Sequence, residues 1–401
     1  MPTDAFGLTL TATDAFAVRR LDEGVQQLLV LRNDPLAAAE AAAAADPGLV
    51  MAHVLKGVLC VLGTEKSLLP DARAALEAAR AAARGSALPR ERLHLDALAA
   101  WLDGRLVSAC AAWEAILVDH PCDALAMFAA HQGDFFLGQS SELRDRVARR
   151  LADVPRGSAL EGHYLGMHAF GLEETGAYVA AEEAGRRAVE RDARDAWAVH
   201  AVAHVLEMSG RVDEGIAWLT STTDGWATDN FFAVHNWWHL ALYHLDRGDH
   251  EAVLRLYDER IRALLWRLWL HGVDVGSRWA PLAEAWAPRV DDGWYAFNDT
   301  HAMMAFAAAG RSDLATQLLA AMQHAAAGDG DNALMTRAVG LPVANAVQAC
   351  VQGRWDEAVA LLLPVKAIAA RGGGSHAQRD LIAQTLAERV ERAGRRSLAR
   401  A

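Results

Sequence analysis

The sequence predicts an all-α chain built as an array of helical hairpins, and three observations predict it. Alanine and leucine recur at three- and four-residue spacing, the pattern of amphipathic helices. Runs of β-branched residues are absent, and the eleven prolines fall mostly at breaks between periodic stretches. Finally, turns that begin with glycine return at a steady interval. They stand at Gly104 (GRLVSACAAW), Gly138, Gly176 (GAYVAAEEAG), Gly210 (GRVDEGIAWL), Gly248 (GDHEAVLRLY), Gly310 (GRSDLATQLL) and Gly353 (GRWDEAVALL).

The first five glycines are spaced 34, 38, 34 and 38 residues apart. That is the period of tetratricopeptide-like helical hairpins, in which glycine opens the turn between helix A and helix B. Small and large residues agree with the period. After Gly104, Ala109 fills a small position, Trp113 a large one, and Pro121 marks the end of helix B. After Gly176, Ala181 and Ala188 take the two small positions. The expected architecture is a tetratricopeptide-like α–α superhelix, a single solenoid over residues 1–401. About seven to eight hairpins form it, with 262–300 as an irregular, insert-like helical pair.

Composition bounds the function. Apolar residues make up 53% of the 401, but in short amphipathic pieces and never in the uninterrupted run that a membrane span needs. The start, MPTDAFGLTLTATDAFAVRRLDEG, lacks the basic-then-apolar order of a secretory signal, so a cytoplasmic protein is expected. Cys60, Cys110, Cys122 and Cys350 are scattered, which argues against a zinc–thiolate site and a disulfide framework. A net charge of −12 disfavours nucleic acid as a partner, since phosphate must be neutralised by Lys and Arg.

The most chemically suggestive pattern is a pair of histidine pairs. His200 and His204 lie in WAVHAVAHVLEMSG, His235 and His239 in FFAVHNWWHLALYHLDRG, and both members shift by 35 residues. Residues four apart share a helix face, and residues one repeat apart stand on neighbouring helices. Counting back from Gly210, Val199, Val202, Ala203 and Leu206 pack inside the hairpin. Trp197, His200, His204 and Glu207 then form the stripe toward the concave groove, where His235 joins them with Trp238 or His239. Two imidazoles at this spacing can share a divalent metal, with Glu207 or Asp299 completing the shell. Histidines without metal can shuttle protons, or simply hydrogen-bond between packed helices. Ala201 follows His200, so the H-E-x-x-H motif of metalloproteases is missing.

Other segments offer weaker candidates. FNDTH (297–301) places Asn298, Asp299 and His301 at the start of a helix A, either as caps or as additions to the histidine band. His131 and Asp134 belong to an earlier helix A and form either an opposite wall or a buried contact. His163 and His168, five apart, split across faces. RGGGSHAQRD (371–380) sets three glycines and Ser375 before a helix. Its backbone N–H groups and Arg379 could hold a phosphate or carboxylate, or Ser375 could cap an ordinary turn. Nine of thirteen tryptophans lie between 218 and 294, mostly as packing, with one or two as candidate walls of an apolar pocket.

Several of these segments carry a family resemblance. RERLHLDA (90–97), HAVAHVLEM, HNWWHLALY, HGVDVGSRW (271–279), FNDTHAMMA (297–305), VGLPVANAV (339–347) and GGGSHAQRD resemble, in order, signature segments of the tetratricopeptide repeat protein 38 family. The resemblance runs from about Leu8 to the C-terminus. It implies an all-α intracellular repeat protein and brings no reaction or ligand. The connection at Ile261–Arg262 is shorter than the family's, which shifts the expected placement of Trp266 and Trp269. The chain stops at SLARA, where family members continue into another helix, so a less well capped last hairpin is expected.

These readings lead first to a concave pocket for a small polar or anionic molecule. It is made of His131, His200, His204, Glu207, His235, His239, Asp299 and His301, with Arg379 as anion partner. No metal is required; if one binds, its ligands are His200, His204, His235 and His239. An enzyme using the same pocket by metal or by histidine acid–base chemistry is the first alternative, and a scaffold holding a peptide in the groove is the second. Catalysis, cofactor and homo-oligomerisation stay open.

Overall fold

The structure is a computed structural model that describes residues 1–32, 34–85 and 87–392, with side chains to 388. The SLARA segment lies outside the described residues. The chain divides into two compact units, Met1–Phe135 with Ser140–Asp246, and Phe136–Gln139 with Arg247–Ala401.

The first unit is a run of helices: α1 (Ala15–Leu29), α2 (Pro35–Ala45), α3 (Val50–Leu62), α4 (Leu69–Ala82), α5 (Pro89–Leu102), α6 (Leu106–Asp119) and α7 (Ala124–Phe136). It continues through α8 (Ser140–Leu151), α9 (Ala159–Glu174), α10 (Tyr178–Arg191), α11 (Ala196–Met208), α12 (Val212–Ser221), the single-turn α13 (Thr223–Trp226) and α14 (Ala233–Asp246). Successive helices pack as hairpins, α1 on α2, α3 on α4, α5 on α6, α9 on α10 and α11 on α12. The fold is therefore an all-α, tetratricopeptide-like helical repeat.

The turn glycines explain the hairpins. All seven that the sequence singles out have positive φ, between +66° and +81°, a backbone region that side-chain-bearing residues avoid. At five of them a second bond closes the turn. The N–H groups of Arg105, Ala177, Arg211 and Arg354 each reach back 2.8 Å to the carbonyls of Ala100, Leu172, Leu206 and Ala349, and that of Arg311 reaches 2.9 Å to Phe306. This satisfies helix-end carbonyls that would otherwise be left over.

Helices A and B differ in burial, and that difference positions the site. In α10 only Ala181, Ala184, Gly185 and Ala188 are buried, a single stripe. In α11 every residue from Ala196 to Leu206 is buried, because the helix is surrounded by α9, α10, α12 and α14. Full burial of Val199, Val202 and Leu206 stabilises the array by about 1.5–3 kcal/mol each. The same surroundings enclose the polar residues of α11.

The segment RERLHLDA proves to be an anchor for the N-terminal strand of chain. Glu91 accepts from the Thr11 amide (2.9 Å) and hydroxyl (2.7 Å), and Arg90 donates to the Thr9 carbonyl (3.1 Å). Arg90 and His94 both bind the buried Asp123 carboxylate, at 2.7 and 3.0 Å.

The second unit holds α15 (His250–Glu259), α16 (Leu265–Leu270), α17 (Trp279–Trp286), α18 (Ala296–Ala308), α19 (Ser312–Ala326), α20 (Asp331–Met335), α21 (Leu341–Val351), α22 (Trp355–Lys366) and α23 (His376–Arg392). Its core includes Trp266, Met303, Phe306, Leu318, Met322, Val347 and Leu362. Among the described residues, 331–351 is long and apolar enough to cross a membrane. Its Val343, Ala346, Val347 and Cys350 nevertheless pack in this core.

Helix α18 corrects one reading. It begins at Ala296, so Asn298 and Asp299 sit inside its first turn and neither is the N-cap. The end is instead satisfied from a distance, by Asn332. Its side chain accepts from the Ala296 amide at 2.8 Å and donates to the Gly293 carbonyl at 3.1 Å.

Candidate functional site

The two histidine pairs meet in the first unit. The i, i+4 spacing puts His200 and His204 on one face of α11, and the neighbouring α14 presents His235 and His239 to it. Ring centroids lie 4.4 Å apart for His200–His204 and His204–His239, 4.8 Å for His200–His235, and 5.0 Å for both His200–His239 and His235–His239. One ring nitrogen from each of the four can be chosen so that all lie within 4.8 Å of one another. The Nε2 atoms of His200 and His235 are 3.1 Å apart.

A carboxylate backs a ring from each helix. Glu207 Oε2 lies 2.8 Å from His239 Nδ1, and Glu173 Oε2 lies 3.5 Å from His204 Nδ1. At His239, the N–H donated from Nδ1 to Glu207 fixes the tautomer and leaves the lone pair on Nε2.

Aromatic rings wall the cluster. Phe170 is 5.2 Å from His200 and 5.3 Å from His204, and Trp197 and Phe232 are each 5.1 Å from His200. Trp238 stacks on His235 at 5.2 Å and meets His239 edge-on at 4.8 Å. The stripe expected to face a groove is thus enclosed. His204 and His239 are fully buried and His200 is 2% exposed, while His235 alone is partly exposed. Burial pushes His200 well below the ordinary imidazole range, and the charges of His204, His235 and His239 push it the same way. His235 is likewise lowered by burial and by His239. Both rings are therefore neutral near pH 7 and offer lone pairs, not positive charge.

The remaining candidates fall in three places. His131 is buried in the same unit, edge-on to Trp197 (5.8 Å) and Phe170 (6.2 Å), one aromatic layer from the four rings. Burial first, then the Arg146 charge, lowers its pKa to about 3. Asp134 is tied up by the Arg146 guanidinium at 2.8 and 3.1 Å. His163 is held 3.2 Å from Asp195, whose other oxygen caps α11 through the Ala198 amide.

Asp299, His301 and Arg379 belong to the second unit. His301 donates Nδ1–H to the Phe297 carbonyl at 2.8 Å and stacks on the Phe297 ring. With Phe297, Gly372, Gly373, Gln378 and Arg379 it lines a cavity of about 30 Å³, room for a water or two. The glycine-rich turn is a capped helix start. Gln378 N–H lies 3.4 Å from Ser375 Oγ, and Ser375 N–H donates to Gln378 Oε1 at 2.9 Å. Arg379 donates to the Gly374 carbonyl.

Glu173 is the residue that the sequence reading missed. A signal existed. Glu173 stands three residues before Gly176, as Glu207 stands three before Gly210, so the two occupy one position in successive repeats. Its own helix carries His163 and His168 five apart, so no i, i+4 histidine pair there marks a face for Glu173 to join.

The first unit also contains a cavity of about 490 Å³, lined in part by Phe6, Gln26, Gln27, Arg32, His163 and Arg194.

No family model matches the chain. Solved structures give low similarity. The apo form of RapI is 12% identical with a TM-score of 0.41, covering 88% of this chain and 97% of that one. The P58(IPK) TPR domain is 14% identical with a TM-score of 0.22, covering 96% and 99%. A structure of Naa15/Naa10 bound to HypK-THB is 15% identical with a TM-score of 0.29, covering 96% of this chain and 56% of that one.

Proposed function

We propose that this tetratricopeptide-like repeat protein works by holding a small ligand at the histidine centre of its first unit. His200, His204, His235 and His239 make the contacts, and Glu173 and Glu207 orient two of the rings. The observation that carries this reading is the convergence of four imidazoles from two successive A helices inside an aromatic wall. Four polar rings are costly to bury unless their nitrogens are satisfied. Packing alone would be better served by apolar side chains, and His200 Nδ1 has no hydrogen-bond partner among the described residues. The similarity of HAVAHVLEM and HNWWHLALY to segments of the tetratricopeptide repeat protein 38 family fits a shared centre.

The neutral rings favour a ligand that takes up lone pairs over an anion. Binding is favoured over turnover, since three of the four rings are 2% exposed or less. His301 and Arg379 are left out of this centre. A high-resolution crystal structure of protein purified without a histidine tag tests the reading. Density bonded to the inward nitrogens supports it, and rings paired only with one another and with Glu173 and Glu207 refute it.

A peptide scaffold is the second reading, favoured by the 490 Å³ cavity. It predicts that peptides selected from a displayed library lose binding in Arg32→Glu with Arg194→Glu and keep it in His204→Ala. Selection of none, or binding indifferent to the arginines, counts against it.

A further inference from the structure

We infer that the ligand of this centre is one divalent transition-metal ion, bound by a ring nitrogen from each of His200, His204, His235 and His239; the inference rests on the histidine-centre reading above. Space is the first argument. Ring centroids only 4.4–5.0 Å apart leave no room between the rings for an organic molecule, whereas an ion bonded to the ring nitrogens needs none beyond the nitrogens themselves. Tetrahedral bonds of about 2.0–2.1 Å would set the nitrogens about 3.4 Å apart. The four available nitrogens lie within 4.8 Å, and one pair is already at 3.1 Å. Closing on an ion needs ring rotations that move nitrogens by about an ångström, on helices already in place.

Charge is the second argument. Four imidazoles bring no charge, so a divalent cation among them would carry +2 into a site walled by Phe170, Trp197, Phe232 and Trp238. The carboxyl groups of Glu173 and Glu207 stand one ring away, 3.5 Å and 2.8 Å from Nδ1 of His204 and His239, where they can balance that charge. Metal-bound histidines commonly donate their second N–H to a carboxylate in this way, which fixes the ring and raises its basicity. Such a bond joins Glu207 to His239, and Glu173 stands 3.5 Å from His204 Nδ1 at the same position of the preceding repeat, so the repeat carries the ring and its neighbouring carboxylate together. One such pair could be a chance contact between helices. Two that share a centre point to one design.

The donor set limits the metal. Nitrogen ligands without thiolate suit Zn²⁺, Co²⁺, Ni²⁺, Cu²⁺ or Fe²⁺, whereas Mg²⁺ and Ca²⁺ require oxygen. His235 is the partly exposed member, so exchange with solvent runs past it and Trp238.

Cobalt(II) is the probe. Untagged full-length protein, stripped with chelator and dialysed, is titrated with Co²⁺ and followed by visible absorption, with Zn²⁺ competition and calorimetry for affinity. The expected result is ligand-field absorption saturating at one ion per chain and bleached by Zn²⁺. The double variant His204→Ala, His239→Ala should abolish it with the far-ultraviolet dichroism retained. Glu207→Gln, a milder change at a partly exposed side chain, should weaken Co²⁺ binding roughly 10–100-fold. Folded wild type that takes up neither ion overturns the inference. So does uptake that the double variant and Glu207→Gln leave unchanged. Organic density at the four rings, with no metal uptake, overturns the metal alone and leaves the histidine-centre reading standing; absence of both defeats both.

Discussion

Glu173 and Glu207 show how much a single residue position decides here. Each sits three residues before a turn glycine, and each meets a histidine of the next A helix. The four histidines were legible in the sequence because spacing of four and an offset of 35 are periodicities of the fold itself. The carboxylate behind His204 is not, since the two histidines of its own helix, His163 and His168, stand five apart and define no common stripe with it. The enclosure of the four rings was equally hidden, because facing a neighbouring repeat and facing solvent leave the same pattern on one helix. His131 gives a prediction at this scale. The unfolded chain takes up its proton near pH 6.5, the folded one only near 3, so between those values the unfolded state binds the extra proton. Stability should therefore fall as pH drops below about 6.5, with His131 contributing up to about 1.4 kcal/mol per unit. Urea denaturation from pH 8 to 5 should show a shallower loss in His131→Leu than in the wild type. An unchanged slope would place His131 in a solvated or partnered state.

Between elements, close approaches fix where the site helices lie. A Cβ at Gly171 of α9 would meet the backbone of α8, 2.4 Å from the Arg144 nitrogen and 2.5 Å from its Cα. Alanine normally gains about 0.5–1 kcal/mol over glycine inside a helix. Here overpacking costs about 1–3 kcal/mol, and Gly171→Ala should lower stability by about 1–2 kcal/mol in denaturant titration; a gain would mean that α8 yields freely. Gly215 on α12 couples packing to the site itself. Its added Cβ would stand 2.1 Å from the buried Tyr243 ring of α14, whose hydroxyl donates to the Ala203 carbonyl of α11. Gly215→Ala should therefore shift α14 against α11 and reduce Co²⁺ affinity several-fold though it touches no histidine, and unaltered affinity would show that Tyr243 moves alone. The elements were readable because turn glycines announce themselves through the left-handed backbone they permit. The start of α18 is not legible locally, because its first amide is satisfied by Asn332, far along the chain, and no local motif records that.

For the molecule as a whole, two compact units carry unequal chemistry. The first holds the four-histidine centre and the large cavity. The second holds the glycine-rich turn, whose amides and Arg379 are engaged in capping and loop bonds. A bound ion should leave a regional trace in hydrogen exchange. Adding Zn²⁺ should raise amide protection in 196–208 and 233–246 and leave 296–351 unchanged, since binding stabilises the state that forms the site. Protection spread evenly over both units would argue for binding elsewhere. Anomalous diffraction from crystals of untagged protein, recorded on either side of the absorption edge of the metal found in it, tests the four-histidine centre most directly. The prediction is a single anomalous peak within coordination distance of ring nitrogens from His200, His204, His235 and His239. A map without that peak, with the four rings hydrogen-bonded only to one another and to Glu173 and Glu207, would contradict it.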